Sequence, residues 1–289
     1  GALVSAPMID DEGDALDVSN VHKTFMNWWF RHIWFTVYPL SLGLILASTL
    51  SGISLYKIAL FNIPIFSVQI ITGMIWGVKR IKPVTEKEHS INPLLLIWEL
   101  FPIIIALSLN IVFGLPFYIT LLIAVIFLLI QNREEYDWND LLSLTKKGFS
   151  FDLLLASYGI MLFKGIIERS NSISPTVAAL QNYIPLLAVI IVVAVVIGLS
   201  FGHLPGAIGV GFPVLLTILP VINVQTIGLI FLFIFLGYLI SPIHLCIILT
   251  IEYFNTTLVS FYKRIVSPFI IVVIVTVAWL LVTGAVFYI

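Results

Sequence analysis

The chain has 289 residues, 60% hydrophobic and 10% charged, with a mean hydropathy of +1.13 and a net charge of −1. Soluble domains carry about 25% charged residues, so this is the composition of a polytopic membrane protein, and it lacks the basic footprint that nucleic acid requires. The single cysteine, Cys246, sits in an apolar run, which excludes a disulfide framework and a thiolate metal cluster.

The first residues, Gly1-Ala2-Leu3-Val4-Ser5-Ala6-Pro7, mix small residues with a helix breaker. There is no initiator Met and no signal peptide, so the chain is expected to be the N-terminally truncated, C-terminal portion of a longer protein. Residues 10–23 form an acidic connection with Asp10, Asp11, Glu12, Asp14 and Asp17. Apolar runs of roughly 17–25 residues read as spanning helices; they fall at 34–50, 58–78, 93–113, 115–131, 151–167, 226–249 and 265–288. Gly114-Leu115-Pro116 predicts a tight turn between two of them. The connection 79–92 is basic, and 168–174 is short and polar. Residues 132–150 are mixed, with Leu141, Leu142 and Leu144 suggesting an interfacial helix.

Residues 200–213 put four glycines, two prolines and a histidine into membrane-deep sequence. Backbone that cannot hold a regular helix is tolerated there only where it is buried in protein or lines a polar cavity. Two apolar arms, 184–199 and 206–222, flank this break as a re-entrant hairpin or as two spanning helices. The Gly-Ala opening of the chain echoes Gly206-Ala207, and each copy is followed by a proline-broken helix. One reads Tyr38-Pro39-Leu40-Ser41, the other Ser241-Pro242-Ile243-His244. Both continue to a Tyr-Lys pair (Tyr56-Lys57, Tyr262-Lys263) and a later proline (Pro64, Pro268).

An all-α, inverted-repeat organisation follows as the expectation. Residues 1–78 are the end of the first repeat, 79–92 a linker and 93–289 the second repeat. Within the second repeat, 93–168 are scaffold helices, 176–222 the hairpin, 225–262 the broken helix and 265–288 the last helix. The first copy lacks the roughly one hundred residues of membrane sequence that precede the second break, so a segment of that size is expected upstream. Placing 79–92 in the cytoplasm puts eleven of the fourteen Lys and Arg inside, with Lys57, Lys164 and Arg169 outside. A multi-pass protein of the cell membrane, with its C-terminus outside, is the expected localisation.

The opening segment, "YGIMLFKGIIERS" at 158–170, "GAIGVGFPVLLTILP" at 206–220 and "SPIHLCIILTIEYF" at 241–254 carry a resemblance. The chain resembles the domain-of-unknown-function 401 family, integral membrane proteins of the ion-transporter superfamily distantly similar to gluconate permeases. The resemblance implies two inverted repeats, each with a re-entrant hairpin and a discontinuous helix around a central site. It also implies a homodimeric scaffold and elevator-like movement against it. Better-known relatives carry a Ser-Asn-Thr hairpin tip for sodium, where this chain has Gly202-His203-Leu204-Pro205-Gly206.

At a helix break, free N–H groups can hold a carboxylate and free carbonyls a cation. The expected binding residues are therefore Ser200, His203, Gly206, Gly209, Ser241 and His244, with Ser5, Tyr38 and Ser41 as the inverted counterpart. Glu252 or His244 would carry a coupled proton. Arg31-His32 lies among aromatic residues and reads first as an interfacial belt, with Arg31 able to draw an anion to the cytoplasmic mouth. The expected function is secondary active transport of a small organic anion, a carboxylate, coupled to H+ or Na+, with no other cofactor. A cation/proton antiporter is the alternative. A third reading, an intramembrane serine hydrolase, rests on Gly198-Leu199-Ser200-Phe201-Gly202, but the strand-to-helix elbow that this motif needs is absent.

Overall fold

The computed structural model describes residues 2–79, 81, 93–133, 137, 140, 143, 146, 148, 151–170 and 173–289. Gly1, most of the basic connection and the interfacial helix expected from Leu141, Leu142 and Leu144 lie outside the described residues. Every element among the described residues is helical. The order begins with α1 (Ala2–Ala15), α2 (Asn20–His32) with a 3-10 turn at Ile33–Thr36, α3 (Leu42–Ser51) and α4 (Leu55–Gly73) with a π turn at Met74–Val78. Then come α5 (Pro93–Phe113), α6 (Phe117–Gln131), α7 (Phe151–Ser170), α8 (Ile173–Gln181), α9 (Leu186–Ser200) and α10 (Leu204–Leu216). Last are α11 (Val224–Leu239), α12 (Leu245–Tyr253), α13 (Leu258–Val282) and a 3-10 turn at Ala285–Tyr288. Three stretches, Leu55–Val78, Pro93–Phe113 and Leu258–Val282, are long and apolar enough to cross a membrane.

The chain divides into two compact units, Gly1–Val84 with Tyr158–Ile289, and Thr85–Ser157. In the smaller unit α5 and α6 form a hairpin at the expected turn, where Gly114 takes a φ of 65° that suits glycine. Asn110 Nδ2 donates to the Leu115 carbonyl (2.6 Å) at the turn, and Gln131 Nε2 donates to the Trp98 carbonyl (2.9 Å) at the open end.

The larger unit is built around α11, in which every residue from Thr226 to Leu239 is buried. A helix apolar on all sides belongs in such a position. It starts at a reciprocal cap in which Thr226 N–H donates to Asn223 Oδ1 (2.9 Å) and Asn223 N–H to Thr226 Oγ1 (3.1 Å). Two glycines bring α9 and α11 to backbone contact. A methyl group on Gly198 would strike the Ile234 carbonyl, and one on Gly237 would strike the Val195 carbonyl. Small residues allow this approach between apolar helices.

The contacts repeat in two series. Helix α1 packs on α2 and α12, and α10 packs on α11 and α3. Helix α2 meets α13, and α11 meets α4. Helices α4 and α13 run antiparallel. Arg264, near the start of α13, donates to the Trp76 carbonyl beyond α4 (2.6 Å), and Trp279 Nε1, near the end of α13, donates to the Phe61 carbonyl early in α4 (3.0 Å). The links α3–α4 and α12–α13 both turn at a left-handed residue, Gly52 (φ 74°) and Asn255 (φ 50°), followed two positions later by the N-caps Ser54 and Thr257.

Three local features differ from the expectation. The acidic residues through Asp14 continue α1 as helix instead of forming a connection. The reason is Lys23, 1% exposed, whose Nζ pairs with Asp10 (2.8 Å) and Asp14 on one face of α1. The run 34–50 is two elements, since the chain leaves the 3-10 turn at Thr36 and resumes helix only at Leu42. The Tyr-Lys pairs are not equivalent: Lys57 lies in the first turn of α4, Lys263 in the second turn of α13.

Candidate functional site

Pro242 has no N–H, so a helix continued from α11 would leave the Tyr238 carbonyl without its partner. The chain instead turns there. Ser241 N–H donates to the Tyr238 oxygen (3.2 Å), and His244 Nδ1 approaches the same oxygen (3.1 Å). Tyr262 from α13 donates its hydroxyl to the Ile240 carbonyl (2.9 Å), and buried Ser241 donates Oγ to the Leu199 carbonyl in α9 (2.7 Å). The α9–α10 tip rests on this break, with Leu245 N–H directed at the Gly202 carbonyl (3.4 Å).

The break at Pro242 reaches the end of α2 through two histidines. His244 Nε2 stands 3.0 Å from His32 Nε2, and His32 Nδ1 lies 2.5 Å from the Trp28 carbonyl. Both residues are buried, at 0% and 1% exposure. Aromatic rings surround them: Tyr238 at 4.0 Å from His244, Trp28 at 5.3 Å and Phe35 at 5.2 Å from His32. Cys246 Sγ and ring nitrogens of both histidines lie within 4.8 Å of one another, and Arg31 Nη2 is 3.9 Å from the sulfur. Two nitrogens on one tetrahedral zinc ion, bonded at about 2.0–2.1 Å, stand about 3.3 Å apart. The 3.0 Å between the two rings is shorter and falls in the hydrogen-bond range.

A second polar thread joins α1, α2 and α12. Ser5 Oγ donates to Asn27 Oδ1 (2.5 Å), Asn27 Nδ2 is directed at Thr250 Oγ1 (3.4 Å), and Thr250 donates to the Cys246 carbonyl (2.6 Å). Asn27 and Thr250 are buried.

Over residues 1–283 the sequence matches the family described as "Protein of unknown function (DUF401)". The chain belongs to that family. No curated protein and no solved structure matches it.

In this DUF401 chain eight of the ten expected site residues fall into three groups, and Ser5 and Glu252 lie apart from them. Ser241 and His244 share the second break with the tip residue Gly202. Ser200 and His203 lie at the tip with exposed side chains, and Ser200 Oγ donates back to the Val196 carbonyl (2.7 Å). Behind the tip, Gly206 is half-buried against the Phe201 ring and Gly209 is buried against Ile160. Half-buried Tyr38 and buried Ser41 frame the first break, where Ser41 N–H donates to the Tyr38 carbonyl (2.8 Å). Ser5 joins Asn27 rather than this break. Glu252 is exposed near the end of α12 and forms no ion pair among the described residues.

The sequence pattern reads His32 as part of an interfacial belt and gives no binding role to Asn27, Thr250 or Cys246. The aromatics on the α2 side of Arg31-His32 are core instead, with Phe25, Trp28 and Trp29 buried, whereas Trp34 is 51% exposed as a belt residue would be. The available signal was the four-residue spacing of Lys23, Asn27 and Arg31 and of Trp28 and His32, which gives α2 polar groups on two inward faces.

Proposed function

We propose that this protein is a secondary active transporter of a small organic anion, a carboxylate, coupled to H+ or Na+. The observation that carries the reading is the exchange of contacts between two series of helices. Exchanging α1 with α10, α2 with α11, α3 with α12 and α4 with α13 converts each contact of one series into a contact of the other. The antiparallel α4–α13 pair supports reading that relationship as an inversion. Inverted repeats around interrupted helices are the architecture of alternating access.

Helix lengths support a re-entrant hairpin. At about 1.5 Å per residue, α9 (15 residues) and α10 (13 residues) are about 22 and 20 Å long, short of the roughly 30 Å hydrocarbon core. Ser200 and His203 then form the outer tip with Gly206 and Gly209 behind it, and Ser241 and His244 line the adjoining break. Tyr38 and Ser41 lie at the inverted break, with Ser5 on the Asn27 thread. Arg31, whose Nη1 has no hydrogen-bond partner among the described residues, supplies the positive charge that an anion needs. Lys57 and Arg264 lie toward opposite ends of the α4–α13 pair, in keeping with loop 79–92 in the cytoplasm and the C-terminus outside. The family resemblance adds a homodimer.

Uptake of labelled carboxylates into proteoliposomes, under imposed proton and sodium gradients, tests the reading. Gradient-driven accumulation of a carboxylate supports it. Folded protein that moves none of them under either gradient would falsify it. Proton exchange for a cation with no organic cargo would establish the antiporter, which the buried histidine pair also favours.

A further inference from the structure

Three polar contacts run in line from the Trp28 carbonyl through His32 and His244 to the Tyr238 carbonyl, and each requires a proton. Carbonyl oxygens only accept, so Nδ1 of His32 at 2.5 Å and Nδ1 of His244 at 3.1 Å both carry hydrogen. A neutral imidazole has one N–H. Two neutral rings therefore supply two protons for three contacts, and their bare Nε2 lone pairs face each other across 3.0 Å. No water fits between atoms this close. The neighbouring crevice, lined by Trp28, Trp29, His32, Ile33, Gln69 and Leu239, has no room for one either.

We propose that His32 and His244 form a proton-binding site, in which one additional proton lies between the two Nε2 atoms and the pair carries a single positive charge. The proton is taken from bulk water and returned to it. As the ion coupled to transport, it rests on the transporter reading above; as a binding site, it stands on the contacts alone.

The surroundings suit a cation. Aromatic faces attract positive charge, and Trp28, Phe35 and Tyr238 enclose the pair. The two carbonyls belong to the C-terminal parts of α2 and α11, where the helix dipole is negative. The titratable and charged groups around the pair are Arg31 on α2, Tyr238 on α11, Cys246 on α12, Tyr262 on α13 and His203 at the hairpin tip. Arg31 and a protonated His203 oppose a second cation, as does burial itself. The site thus sits between opposing influences, as a proton carrier that must load and unload requires.

The test uses the full chain, labelled with 15N-histidine, in lipid bilayers. Nitrogen–nitrogen coupling across an N–H···N bridge joins His32 and His244 at the acid end of a titration between about pH 5 and pH 8 and disappears toward the alkaline end. His32→Gln and His244→Gln each abolish the coupling and leave the remaining ring with one N–H. Bare Nε2 on both rings throughout the range, in protein whose tryptophan fluorescence reports an intact fold, overturns the proposal. A metal-bound nitrogen signal does so as well. Uptake without the coupling removes this site and keeps the transporter; coupling without uptake does the reverse.

Discussion

Gly202 and Ile243 hold the hairpin tip on the helix break: a methyl group added to Gly202 would stand 2.5 Å from the Ile243 carbonyl oxygen. Backbone cannot yield there as a side chain can. Gly202→Ala is expected to cost about 1–3 kcal/mol, the usual range for overpacking. Gly206→Ala, whose new methyl meets only the Phe201 ring at 3.2 Å, is expected to cost less. Thermal unfolding in detergent ranks the two, and equal melting temperatures would remove the tip contact from the account.

The crossing of α9 and α11 makes a harsher demand. Gly198→Ala and Gly237→Ala each drive a methyl into carbonyl backbone on the opposite helix. Both are expected to reduce the yield of monodisperse protein in size-exclusion chromatography. Gly159→Ala is the control, because nothing lies within 4 Å of its added methyl and alanine favours helix over glycine by about 1 kcal/mol.

Two serines separate structure from binding. Ser241 links the break to α9 through a buried hydrogen bond, so Ser241→Ala is expected to lower stability by about 1 kcal/mol. Ser200 is exposed and bonds only within its own helix, so Ser200→Ala is expected to stay within about 0.5 kcal/mol of the parent. If Ser200 contacts the cargo, its replacement raises the KM of uptake without moving the melting temperature.

Lys23 predicts a pH dependence outside the spanning segments. Burial works against its ammonium, but hydrogen bonds and charge from Asp10 and Asp14 outweigh that and hold its pKa above the ordinary 10.5. A raised lysine pKa contributes stability that is complete below 10.5 and is lost as pH rises through the folded value. Lys23→Met is expected to lower stability by about 1.5–3 kcal/mol, toward the lower end because Asp14 is 74% exposed to solvent. It should also flatten the alkaline fall in melting temperature.

The orientation can be read chemically. Cys246 is the only cysteine, so a Cys246→Ala background is thiol-free. Lys57→Cys is expected to react with a membrane-impermeant maleimide on intact cells, and Lys263→Cys only after permeabilisation. The opposite pattern would invert the topology.

What the sequence disclosed about this molecule was its interruptions. Pro39, Pro242, Gly114 and the residues around Gly202 are local punctuation, and each marks a place where helix stops. What it concealed depends on distant partners. The acidic segment stays helical because of a lysine on the next helix, and His32 is buried because its partner lies 212 positions away. Hydropathy averaged over a window gives the same value whether aromatic residues line a membrane surface or fill a core. Phe25, Trp28 and Trp29 were therefore legible as apolar but not as interior.

The glycine crossing of α9 and α11 has a mechanical consequence. Where two backbones touch, no layer of side chains remains to shear by changing rotamer. The two helices are geared together, and a displacement of one carries the other. Bending must then be taken up outside the crossing.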